Sequence, residues 1–224
     1  MSQMISFQEV VATAILFTWI LLLIGFLTKK LYVFMIKKNK LQHGVAVYYN
    51  RKIIHIFAGG LAAFACPFYF KTPLMPLIFA SILAVITYIP HRTGKLLYWF
   101  QVPENKYEVH FCIMWGAGLT AGWLLTGNPW FGVLPIIFMS IGDAVTGLLR
   151  NAMFKRRTKS WWGNLAMALT TIPIGAAILG IPGAITASIC SFVEHYEFGV
   201  IDDNITVPLT ALLLLVALTH VFNF

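Results

Sequence analysis

Acidic residues are scarce in this sequence. Eight Asp and Glu stand against sixteen Lys and Arg in 224 positions, and charged residues of either sign make up only 11% of the chain. Cysteine is scarcer still. Cys66, Cys112 and Cys190 lie far apart in apolar stretches, which argues against a disulfide framework or a cysteine-built zinc site and leaves them as packing residues. No Walker A loop, zinc motif or G-x-S-x-G elbow is present. The apolar runs lack period-two alternation, which excludes a membrane β-barrel. The first thirty residues show neither a basic leader nor a small-residue cleavage site, so a retained first span is expected. No repeat, low-complexity segment or appended soluble domain is evident.

What the chain has in excess is hydrophobicity. Apolar residues make up 59% of it and the mean hydropathy is +0.79. They fall in blocks of roughly 16–22 residues, about the length a helix needs to cross a bilayer. The expected architecture is an all-α, polytopic membrane bundle in a single domain, 1–224. Its spans are expected near 9–28, 53–70, 74–90, 107–126, 129–147, 163–180, 183–198 and 205–222. Lys71-Thr72-Pro73, Asn128-Pro129 and Ile181-Pro182-Gly183 punctuate the hairpins.

The net charge of +8 could suit nucleic acid, but in a membrane chain basic loops set topology. With eight spans, fifteen of the sixteen Lys and Arg fall on one face, which the positive-inside rule makes cytoplasmic; Lys71 is the exception. Seven of the eight acids fall there too, all but Glu9, and no topology rule requires that. Acids and bases meeting at one membrane surface suggest a site for a charged, water-soluble substrate and its metal. The helix centres hold no charge, which weakens a transporter reading.

Three clusters carry the chemistry. In "NRKIIHI", Arg51, Lys52 and His55 share one helical sector at the inner end of span two. Snorkelling bases would explain the first two; a histidine one turn into the span points instead to a phosphate clamp. In "GDAVTGLLRNAMFKRRTKSWWGN", Gly142-Asp143 ends span five, and Lys155-Arg156-Arg157 can serve as a topology signal. Lys159, Ser160 and Gly163 precede span six, where a helix N-terminus with small residues and a lysine suits polyphosphate. In "EHYEFGVIDDNITVP", Asp202, Asp203 and Asn204 exceed what one helix cap requires, and Glu194 adds a further oxygen. Oxygen ligands of this kind suit Mg²⁺ shared between carboxylates and phosphates. The residues thus describe phosphoryl or nucleotidyl transfer to a membrane lipid.

"RKIIH", "GDAVTGLLRNAMFKRRTKSWWGNLAMA" and "E…IDDNITVPL" occur in the order seen in the polyprenol kinase family, and the resemblance covers roughly residues 50–215. That family includes dolichol, phytol and farnesol kinases and is related to CDP-lipid synthases. The resemblance implies an N-terminal span and basic loop, 1–50, before a kinase-like core, 51–224. It implies CTP or another nucleoside triphosphate as phosphoryl donor, Mg²⁺ or Mn²⁺, and an isoprenoid alcohol as acceptor, with no nucleic-acid partner. By position, Arg51, Lys52, Gly142, Lys159, Ser160 and Gly163 are expected at the nucleotide. Asp143, Asp202, Asp203 and Asn204 are expected at the metal. Asp143, His55 and Glu194 are the candidate catalytic groups, with Glu108 matching an acid that opens a middle helix. Two features depart from the pattern. Arg150 and Phe154 stand where glycine is frequent, and Trp162 replaces an acid, where an indole can stack on a base or, the favoured reading, anchor at the interface. A cytidylyltransferase acting on a lipid phosphate, and a non-catalytic transporter or lipid-binding protein, are the alternatives. The expected site is a prokaryotic plasma membrane, archaeal or bacterial, rather than the endoplasmic reticulum, with the active face cytoplasmic.

Overall fold

The computed structural model describes residues 6–156, 158–197 and 201–222, with side chains described as far as 219. Arg157, the last base of the Lys155-Arg156-Arg157 run, lies outside the described residues. The described chain is helical and contains no β-strand. Its elements are α1 (Phe7–Lys37), α2 (His43–Tyr69), α3 (Leu74–Thr93), α4 (Tyr107–Thr126), α5 (Pro129–Phe154), α6 (Trp161–Val193) and α7 (Asp203–Phe222). The first six are long and apolar enough to cross a membrane.

Two expectations change in detail. The lysines at 29, 30 and 37, expected in a loop, continue α1. Lysine is a good helix former, and its stem can lie along apolar surface while the ammonium reaches water. The sixth and seventh expected spans form one element, α6, broken at Leu179 and Gly180. Gly180 takes φ 60°, ψ −140°, a conformation that side chains with a Cβ avoid. The two legs fold back on each other, and the backbones of Gly175 and Gly183 touch where any Cβ would collide.

At the end opposite the basic loops, Glu9 has a structural task. It completes a capping box with Ser6, its Oε2 accepting from the Ser6 amide at 2.8 Å, and its Oε1 accepts from the Lys71 amide at 3.0 Å. Asn128 caps α5, accepting from the Trp130 amide at 3.0 Å, with Pro129 at the first helical position. Helix α5 is the central rod: Phe131 and the run from Val133 to Ser140 are buried. Apolar side chains such as Ile15, Phe68, Leu124, Leu169 and Leu213 cover the outside, as a surface facing hydrocarbon requires.

At the basic end, the segment 94–106 between α3 and α4 folds inward. Trp99, Phe100 and Gln101 are buried. The Trp99 indole donates to the Ile24 carbonyl, and Asn50 donates to the carbonyls of Thr28 and Trp99, each at 2.8 Å. This plug ties α1, α2 and the loop together beneath the polar cluster.

Candidate functional site

Two π-turns set the orientation of the site. One, His55–Gly60, begins at His55 within α2; the other, Phe138–Gly142, ends immediately before Asp143 within α5. They pack side by side, and a Cβ on Gly59 would meet the Phe111 ring and the Ser140 hydroxyl. Such insertions re-aim the side chains of a helix and recur at functional sites. Here Lys52 Nζ donates to both oxygens of Asp143 at 2.7 and 2.6 Å. His55 Nδ1 lies 3.2 Å from Asp143 Oδ2. Its ring stacks on Phe111, centroids 4.1 Å apart.

A second group forms where α5, both ends of α6 and the start of α7 converge. Arg150 is 1% exposed. Its Nη1 and Nη2 grip the two oxygens of Glu194 at 2.9 Å each, two parallel bonds that match the planar guanidinium to the carboxylate. Nε and Nη2 also donate to the Ser160 carbonyl, and Nη2 to Asn164 Oδ1 at 2.8 Å. Gly163 lies flat against the guanidinium, where a Cβ would collide. Lys159 Nζ donates to Glu194 Oε1 at 2.9 Å and Asp203 Oδ2 at 2.8 Å, and lies 3.2 Å from Glu197. Burial opposes the Lys159 charge, but Asp203 and Glu194 hold its ammonium well above the ordinary lysine range. Burial also pushes the Glu194 carboxyl up, against the pull of Lys159 and Arg150.

The two groups meet. Carboxylate oxygens of Asp143, Glu194 and Asp203, from three helices and all buried, lie within 4.8 Å of one another. Three hard oxygen donors suit a divalent cation that also takes phosphate oxygens. Lys52, Arg150 and Lys159 balance these carboxylates, and buried acids persist only when so compensated.

The other expected site residues are placed as follows. Asp202 and Asn204 stand beside the triplet in a group of their own. Asn204 Nδ2 donates to Asp202 Oδ2 at 2.9 Å, and His110 Nδ1 is 3.4 Å from Asp202 Oδ1. Asp202 serves the start of α7 through its carbonyl, which accepts from Ile205 and Thr206; its carboxylate is not a helix cap. Burial and the neighbouring Asp203 push that carboxyl up to about 6. Arg51 turns toward the plug, donating to the Phe100 carbonyl at 2.7 Å, Asn105 at 3.0 Å and Glu108 at 3.1 Å. Glu108 also takes Gln101 at 2.8 Å and contacts His91. Gly142 packs on Met167 and Thr171. Ser160 offers its carbonyl to Arg150 while its hydroxyl is buried. Trp162 is 59% exposed at this end, as an anchor would be.

A small pocket lined by Lys52, His55, Asp203 and Asn204 adjoins the cluster, and two further cavities lie beyond it. A cavity of about 320 Å³ on the basic side is lined by Tyr48, Arg51, Asn105, Asn151, Lys155 and Arg156, among others. On the opposite side an apolar slot runs between α1, α2, α3 and α4 and ends at His55 and Glu108. Asn151, Asn164, Tyr48 and His110 were not singled out from the sequence. Asn164 closes the quoted basic stretch, and its spacing of one residue from Gly163 at the start of α6 was the available signal.

No protein-family model, curated protein or solved structure matches this chain.

Proposed function

We propose that the protein is a bilayer-embedded phosphotransferase, similar to polyprenol kinases, that moves the γ-phosphoryl group of CTP or another nucleoside triphosphate onto an isoprenoid alcohol. The observation that carries this reading is the convergence of three buried carboxylates with two lysines beside His55, which lines the inner end of an apolar slot. A polar donor and an apolar acceptor need such a boundary to meet. In this reading the two legs of α6 and the helix α7 complete eight crossings, and the basic end faces the cytoplasm of a prokaryotic cell.

Asp143, Glu194 and Asp203 would hold Mg²⁺ or Mn²⁺, whose chemistry is neutralisation of phosphate charge during transfer. The triphosphate enters from the side of Arg51, Lys155 and Arg156. Lys52 and Lys159 exchange part of their carboxylate contacts for phosphate oxygens. Glu194 accepts from Arg150, Lys159 and Asn164; as Lys159 turns to phosphate its Oε1 would be released to the cation, while Arg150 keeps the carboxylate from taking a proton. His55 is the one imidazole that both lines the slot and touches Asp143. Nδ1 lies 3.2 Å from the Asp143 carboxylate and the ring is held by its stack on Phe111, leaving Nε2 to take the alcohol proton. The alcohol oxygen forms the new bond to the γ-phosphorus, the bridging bond to the β-phosphate breaks, and nucleoside diphosphate departs.

The test is product identity by mass spectrometry, using protein in lipid nanodiscs with Mg²⁺, CTP and, in separate reactions, geraniol, geranylgeraniol or geranylgeranyl phosphate. A prenyl monophosphate with CDP supports the reading. A CDP-lipid with pyrophosphate, formed from a lipid phosphate, replaces it with nucleotidyl transfer. No product with Mg²⁺ or Mn²⁺ and any of the four nucleotides overturns it.

A further inference from the structure

The apolar slot does not end blindly. Its inner end is His55, Thr87 and Glu108. The Thr87 hydroxyl is turned onto the Leu83 and Ala84 carbonyls of its own helix, so it presents a methyl group. Farther along, the walls are aliphatic and aromatic. A polar occupant would lose its hydrogen bonds to water there without replacement. The occupant that fits is an aliphatic chain with one polar terminus at His55. On the proposed reading, that is the prenyl chain of the acceptor.

The outer end is formed by Ala62, Phe79 and Trp115. The same three residues line a second, smaller apolar cavity that continues toward Cys66, Phe70 and Met75. They are therefore the partition between two aligned cavities. Seven residues of α2 separate His55 from Ala62, about 10 Å at about 1.5 Å per residue. The partition is held in place. The Trp115 indole donates to the Gly59 carbonyl at 3.0 Å, and Phe79 packs edge-on against Phe17 with centroids 5.4 Å apart.

We infer that Phe79 and Trp115, closing against Ala62, are the stop that sets the chain length of the acceptor. A chain that ends at the partition is wholly housed. A longer one must displace the indole or leave the slot. This inference rests on the phosphotransferase reading for its substrate class, while the geometry of the two cavities stands independently of turnover.

Geraniol, farnesol and geranylgeraniol are compared as acceptors in nanodiscs for wild type, Trp115→Ala, Phe79→Ala and Leu83→Trp. Leu83 lines the slot without forming the partition, so its enlargement fills the slot and provides a variant that does not remove core volume. The expected result is a rise of about tenfold or more in the geranylgeraniol-to-geraniol ratio of kcat/KM on truncation, and a fall of similar size for Leu83→Trp. In parallel, geraniol and farnesol carrying a diazirine at the hydrocarbon end are cross-linked and mapped by peptide sequencing. Label from the geraniol probe on Phe79 or Trp115, and from the farnesol probe on Cys66 or Met75 in Trp115→Ala, supports the stop. Ratios within twofold of wild type in all three variants, or label confined to lipid-facing positions such as Leu124, overturn it. Label at the partition with no phosphoryl transfer leaves the stop standing and overturns the phosphotransferase reading instead.

Discussion

Lys52 and Asp143, 91 positions apart, form a buried pair in which one ammonium reaches both carboxylate oxygens. Both residues are at most 5% exposed. Neither charge is tolerable there alone, so structural and chemical roles coincide and must be separated by experiment.

Lys52→Met alone leaves Asp143 uncompensated and is expected to cost about 3–5 kcal/mol of stability. The double variant Lys52→Met/Asp143→Leu removes both charges and is expected to recover most of that loss while remaining inactive. Thermal unfolding in detergent, read beside turnover, checks both halves. Activity in the double variant would remove Asp143 from the chemistry.

Arg150 is expected to be irreplaceable by lysine. An ammonium cannot grip Glu194 with two bonds and also reach Asn164 and the Ser160 carbonyl. Arg150→Lys should lower stability by about 2–4 kcal/mol, and Gly163→Ala, which drives a methyl into the same guanidinium, should also destabilise. Unfolding midpoints unchanged in both would show that this pairing does not hold α5 to α6.

Asp202 gives a pH dependence. Its carboxyl keeps a proton up to about 6 in the folded chain, whereas an unfolded aspartate releases it near about 3.9. The folded state binds the extra proton between those values. Its stabilising effect is present at low pH and is lost as pH rises through about 6. Asp202→Asn should therefore gain stability relative to wild type between pH 4 and 7, on the order of 1–3 kcal/mol. A difference between the two that stays flat with pH would contradict the burial of that carboxylate.

Divalent cation with nucleotide should stabilise the wild type by mass action, by about 2.7 kcal/mol at a hundredfold excess over Kd. Asp203→Asn should abolish that gain, and Asp202→Asn should reduce it less, because Asp203 belongs to the carboxylate triplet. The check is the melting temperature with and without Mg²⁺–CTP. Equal responses in the two variants would mean that the triplet is not the cation site.

Much of the helical frame was legible because its causes are local. Apolar block length located the helices, and Asn128-Pro129 marked a turn that the structure confirms in its capping bond. The ends were less legible where propensity and solvation competed, as at Lys29, Lys30 and Lys37, which are charged yet helical. The break in α6 falls at Leu179 and Gly180, just before the expected Ile181-Pro182-Gly183, because the left-handed turn needs the glycine more than the proline. Of the site, Asp143, Glu194 and Asp203 could be nominated from their types and places. Their partners could not: which base meets which acid is fixed by contacts across 44 positions for both Arg150–Glu194 and Lys159–Asp203. The π-turns that aim His55 and Asp143 have no local signature, since they arise where helices pack.

The most direct measurement of the central claim is transfer of label from γ-³²P-CTP to geraniol, farnesol or geranylgeraniol in the presence of Mg²⁺, with Asp143→Asn alongside. The account predicts label in the organic phase for the wild type and a loss of at least about a hundredfold in the variant. Label that never leaves the aqueous phase, or that transfers equally well in Asp143→Asn, would contradict it.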